Sequence, residues 1–169
     1  MSLHGDLLRQ ARQLAIREPR RPRQASLRRG VSTSYYALFH LLVNEASRLL
    51  VSGPDRTELR HCLRRAFGHS NMKTVARQFA QKSPSPKLVP GLNGVLLQPE
   101  LCRVAASFVD LQQARHEADY DTSRRFTRQE ALALIEQAEQ AFGDWHFVRG
   151  TLPADVFLVG LLAQNNMQI

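Results

Sequence analysis

The chain has 169 residues, 43% of them hydrophobic, with 23 Lys and Arg against 15 Asp and Glu and a net charge of +8. That length suits one domain with a real core and is short for two, and the composition is that of a globular protein with few residues beyond the opening arm that read as disordered. The longest apolar run, Val156 to Leu162, falls far short of the roughly 20 residues of a membrane span, and no secretory signal is visible, so a soluble cytoplasmic protein without a membrane partner is expected.

Leu3, Leu7, Ala11, Leu14 and Ala15 predict a short amphipathic first helix, closed by Pro19 and Pro22. A proline inside a helix removes a hydrogen bond and clashes with the preceding turn. Residues 1–29 carry eight arginines against Asp6 and Glu18, and only three of the chain's basic residues are lysines. Guanidinium forks suit phosphate better than ammonium groups do, which points to a polyanion partner. A solvated basic face is the plainer alternative.

The stretch from Leu27 to Leu50 organises the rest. Leu27, Val31, Tyr35, Leu38, Leu42, Ala46 and Leu49 advance at helical spacing, and Tyr36, Phe39, Val43 and Leu50 make a second row beside them. Two rows describe a helix with neighbours on both sides, the central helix of a bundle. Gly53-Pro54 ends it, and Asp55 or Thr57 can cap the next. Residues 57–66 predict a third helix with Leu59, Leu63 and Ala66 or Phe67 inward, broken by Gly68. Residues 71–80 predict a fourth through Met72, Val75, Ala76 and Phe79, and the Pro- and Gly-rich residues 83–98 an irregular loop.

Pro99 suits the first position of a fifth helix, whose stripe runs through Leu101, Val104 or Ala105, Phe108, Leu111, Arg115 and Ala118. Thr127 and Glu130 form a capping box for a sixth, with Ala131, Leu134, Ile135, Ala138, Phe142 and Trp145 facing inward. The apolar tail within 151–169 is an interaction surface if exposed and an extra core helix if buried. No stretch alternates as a strand does. An all-α, antiparallel up-and-down bundle of about five to six helices over residues 1–150 is expected, followed by a helical tail.

Gly-rich phosphate loops, HExxH, GxSxG and CxxC patterns are missing, and Cys62 and Cys102 read as reduced thiols, with a disulfide between them as the alternative that nothing suggests. No metal and no cofactor is expected. Candidate chemistry rests on polar residues among apolar ones. Arg115 stands on the stripe of Phe108 and Leu111, with Asp119 and Glu117 as candidate partners. Such a charge is either a structural ion pair locking two helices together or a cation held ready for phosphate. His40, on a row with Tyr36, reads as a hydrogen-bonded core residue or as facing the groove that Arg115 lines. His69 sits at a helix boundary, where it caps a helix with Ser70 or Asn71 or serves as an exposed acid or base. His61 and His116 read as surface positions.

Three segments occur in order: SxxYYALFH from Ser32 to His40, GHSNMKTVARQF from Gly68 to Phe79, and ARHEADYD from Ala114 to Asp121. Together they resemble the HEPN-domain proteins of bacteria and archaea, over about residues 26–142. The resemblance implies a helical bundle acting as a homodimer, in a family of RNases, toxins paired with a nucleotidyltransferase, and non-catalytic RNA or nucleotide binders. Nuclease members carry an Arg followed four to six residues later by His. Arg115 matches the arginine, but the histidine positions hold Asp119, Tyr120 and Asp121. Metal-free RNA cleavage needs a base and an acid near neutral pH, so this departure favours a binder.

The leading expectation is a toxin–antitoxin or defence-type module that binds RNA or a nucleotide through a basic groove, with Tyr36, His40, Asp119, Tyr120, Arg28 and Arg29 as contacts. The alternatives are a divergent endoribonuclease using Arg115 and His69, and a non-catalytic partner of a nucleotidyltransferase.

Overall fold

Residues 2–164 are described by the structure, a computed structural model. Its elements are α1 (Leu3–Ile16), α2 (Gln24–Leu50), α3 (Thr57–Arg64), α4 (His69–Ala80), α5 (Val89–Leu92), α6 (Pro99–Tyr120), α7 (Arg128–Val148) and α8 (Leu152–Ala163). Among the described residues there is no strand, so the chain is all-α as its periodicity predicts. Among the described residues the helices number eight, more than the five to six expected. Within residues 1–150 the addition is α5, a single turn inside the Pro- and Gly-rich loop and too short to show a period, and α8 is the helix expected in the apolar tail.

The chain divides into two compact units, Met1–His40 with Ser107–Gly143, and Leu41–Ala106 with Asp144–Ile169. In the first, Ala11, Ala15, Leu27, Val31, Ala114, Ala118, Phe126, Ala131 and Ile135 form one buried cluster. Small side chains dominate it, which lets helices approach closely. Gly30 shows how closely: a Cβ there would stand 3.1 Å from the Ala11 carbonyl oxygen, so α1 rests on the backbone of α2. α7 starts where the capping box places it, with Thr127 N–H donating to Glu130 Oε2 at 2.7 Å and Glu130 N–H to Thr127 Oγ1 at 3.1 Å. Gln24 pairs with both backbone groups of Phe126, at 2.7 and 2.9 Å, and holds the start of α2 against the loop before α7. α2 therefore begins before the Leu27 expected from its apolar stripe.

In the second unit α8 is buried through Pro153, Ala154, Val156, Phe157, Leu158, Gly160 and Leu161. Phe157 meets Phe79 of α4 with ring centroids 5.0 Å apart, and Asn71 Nδ2 donates to the carbonyls of Gly160 and Leu161 at 3.3 and 2.7 Å. Burying a ring of that size contributes roughly 2–3 kcal/mol. Over Leu152–Ala163 the tail is core rather than an interaction surface, and its last residues, 165–169, lie outside the described ones. Arg103 forks onto buried Asp144 at 2.8 and 2.9 Å, and Trp145 Nε1 donates to Glu45 Oε2 at 3.2 Å, tying α6 and α2 to the end of α7.

Several inward assignments fail at helix ends. Leu49 and Leu50 are exposed at 39% and 42%, and Leu59 at 51%, because α3 buries no residue fully. Leu3 is exposed as well; α1 is seated by Ala11 and Ala15 instead of its leucines. No side chain caps α3, whose first turn follows Arg56, or α4, which starts at His69 after Gly68. No helix among the described residues is long and apolar enough to cross a membrane.

Candidate functional site

Leaning α1 on α2 through Gly30 leaves an open cleft of about 450 Å³ beside the contact. One wall is apolar, made by Leu3, Leu7 and Leu14 of α1, with Gln10 between them. The other wall is one face of α2, where Arg29, Thr33, Tyr36 and His40 follow each other at helical spacing. Arg29 is exposed, Thr33 buried, and Tyr36 and His40 half-buried. His40 is therefore not sealed among aliphatic side chains. Its ring lies 6.4 Å from Tyr36 and meets Phe39 edge-on at 5.3 Å.

Behind Tyr36 lies Arg115. Its Nη2 donates to the Tyr36 hydroxyl at 2.9 Å and to the Tyr120 hydroxyl at 3.5 Å. The guanidinium carbon stands 5.5 and 5.3 Å from the centres of those two rings, within the range of cation–π attraction. Nε lies 2.9 Å from Asp119 Oδ2, four residues on, in an approach not aligned for a hydrogen bond. Ser32 Oγ donates to the same carboxylate oxygen at 3.2 Å. Arg115 and Asp119 side chains are only 19% and 27% exposed. Burial works against the charged guanidinium, but the Tyr36 hydroxyl, followed by Asp119 and Tyr120, more than compensates, and its pKa lies above the usual arginine value. Glu117, the other candidate partner, pairs with Arg124 instead. Arg115 thus joins α6 to α2 through Tyr36 and remains beside the cleft wall.

Adjacent arginines in the sequence have different fates. Arg28 donates to four backbone carbonyls at the end of α6 and just beyond, those of Ala118, Arg124, Asp121 and Glu117, at 2.9, 2.6, 2.5 and 3.4 Å. It closes the C-terminus of α6, where unpaired carbonyls and the helix dipole favour a cation. Arg29, one residue on and turned to the cleft, keeps its charge at the surface. Tyr120 is exposed, with its ring 5.1 Å from His116.

His69 opens α4 in the second unit and is exposed, whereas Arg115 belongs to the first. His61 and His116 are exposed, and Cys62 and Cys102 are free thiols. Among the described residues no group of His, Cys, Asp or Glu is arranged to hold a metal ion.

Comparison with protein-family models, with curated proteins and with solved structures finds no match. What the site can do follows from its own chemistry. A cation at one end, a half-buried phenol ring, an imidazole and an aliphatic wall suit a ligand that has a charged group and a flat, stackable one. Thr33 and Gln10 line this cleft without having been singled out by sequence. Thr33 was within reach, since it stands four residues from Arg29 on the Tyr36 side of α2, but Gln10 follows only from the docking of α1.

Proposed function

We propose that the chain is a HEPN-like module of a toxin–antitoxin or defence-type system, which binds single-stranded RNA or a nucleotide in the cleft between α1 and α2. The observation that carries this is the face of α2 with Arg29, Tyr36 and His40 in one row along an open cleft. Phosphate takes the arginine, and an unstacked base lies against the tyrosine and the leucines of α1, the usual way single-stranded RNA is held. The order of the three segments around Ser32–His40, Gly68–Phe79 and Ala114–Asp121 supports the family, and with it an antiparallel bundle working as a homodimer beside a nucleotidyltransferase.

Binding rather than cleavage is the function we favour. Arg115 is engaged by Asp119, Tyr36 and Tyr120, and the histidine expected four to six residues after it is replaced by Asp119-Tyr120-Asp121. An Arg115 so held steadies Tyr36 instead of stabilising a developing phosphorane. Pure protein incubated with RNA in chelator should leave the strand intact while retaining it. Cleavage that disappears in an Arg115→Ala variant would overturn this choice in favour of a metal-independent RNase.

A further inference from the structure

Nearly every part-buried arginine of the chain that makes a side-chain pair meets a carboxylate or a row of carbonyls. Arg12 meets Glu139, Arg115 meets Asp119, and Arg124 meets Glu117 and Glu130. Arg64 differs. Its Nε donates to Ser47 Oγ at 3.2 Å and its Nη2 to Asn44 Oδ1 at 2.7 Å, both neutral acceptors on α2. Arg60, one turn earlier on the same face of α3, holds the carbonyls of Val51 and Gly53 at 3.2 and 2.7 Å. Arg48 follows Ser47 and is exposed. Among the described residues no carboxylate forms an ion pair with Arg48, Arg60 or Arg64.

Arg64 is therefore electrostatically incomplete, whereas Arg60 is engaged by the carbonyls that end α2. Burial lowers the pKa of Arg64, and the neighbouring charges of Arg48 and Arg60 lower it further. Like charges gathered at the edge of a low-dielectric interior repel one another, and a bound anion is what relieves them. Neutral acceptors fix the Arg64 guanidinium while leaving its charge uncompensated, and its remaining N–H groups can make charge-assisted hydrogen bonds to an oxyanion.

We propose that Arg48, Arg60 and Arg64 form a phosphate-binding site on α2 and α3 in the second unit, distinct from the cleft of the first and suited to a phosphodiester of RNA or to free phosphate. Arg64 is the fixed donor, Arg60 holds the turn between the helices and adds its field, and exposed Arg48 adds a third positive charge nearby.

The test uses the full chain carrying Arg29→Glu, which weakens the cleft without touching this cluster. Inorganic phosphate is titrated by calorimetry, and a labelled single-stranded RNA of about 12 nucleotides by fluorescence anisotropy. Added Arg48→Glu should weaken binding by about tenfold or more while the melting temperature holds or rises, because a repulsion has been removed. Arg64→Gln should weaken binding likewise. Loss for both probes assigns the site to phosphate of either source, and loss for RNA alone assigns it to the nucleic-acid backbone. Equal affinity in all three proteins, or no binding of either probe before Arg48 is changed, overturns the proposal. Neither result bears on the cleft, whose own test is Arg29→Glu in an otherwise unaltered chain.

Discussion

Replacing Asp119 by Asn removes one charge from the Arg115 cluster and nearly nothing else, since the amide oxygen can still accept from Ser32 Oγ, now 3.2 Å away. At 2.9 Å the Arg115–Asp119 attraction is about 5–6 kcal/mol gross for an effective dielectric of about 20. Desolvation and side-chain ordering cancel most of it. With side chains 19% and 27% exposed, the pair stands between a surface bridge worth under about 1 kcal/mol and a buried one whose breaking costs about 3–5. A net loss of about 1–2 kcal/mol follows, or a melting temperature lower by about 2–8 °C for a chain of this size. Asp119→Asn should at the same time raise affinity for single-stranded RNA, because the Arg115 charge behind Tyr36 is no longer neutralised. In a salt titration the slope should steepen by up to about 0.7, the signature of one further phosphate contact. Thermal denaturation and fluorescence anisotropy on one preparation measure both. A lower melting temperature with unchanged or weaker RNA binding would show Arg115 to be only a lock between α2 and α6.

Arg28→Ala should cost about 2–3 kcal/mol by urea denaturation, because it strips a charged donor from four carbonyls around the end of α6. Gly30→Val should destabilise by about 2 kcal/mol or more and weaken RNA binding, since a Cβ already stands 3.1 Å from the Ala11 carbonyl and α1 must withdraw from the cleft. The carboxyl of Glu130 is held down at about 2 by the Thr127 N–H, then by Arg124 and the Thr127 hydroxyl. Its folded-state pKa is depressed, so its contribution is complete above the ordinary value of 4.5 and lost as pH falls from there towards 2. Glu130→Gln should therefore flatten that part of the acid-melting profile, and an unchanged slope between those limits would contradict the capping geometry.

The helices with a sustained period were legible: α6 and α7 stand where their apolar stripes predict, α2 does so apart from its earlier start at Gln24, and Thr127 with Glu130 marks the start of α7. Periodicity names a face but not where the neighbouring helix ends, which is why Leu49, Leu50 and Leu59 are exposed. α1 misled for a related reason. Its leucines suggest a core stripe, yet its alanines make the contact with Gly30, and the freed leucines become the wall of a cleft. The spacing from Arg115 to Asp119 was readable because it is local, one helical turn. Arg28 and Arg29 could not be told apart by sequence, because the carbonyls that occupy Arg28 lie about 90 residues away in the chain. Nothing in the α3 segment TELRHCLR announces that Arg60 and Arg64 lack a carboxylate, since partners are assigned only by folding.

RNA binding by the face of α2 along the cleft is decided by titrating a single-stranded RNA against the unaltered chain and against Arg29→Glu at several salt concentrations. Affinity should fall steeply with salt for the unaltered chain, and Arg29→Glu should weaken it by about tenfold and flatten the slope, with the melting temperature preserved. Identical affinity and identical salt dependence for the two proteins would show that RNA does not lie along this face of α2.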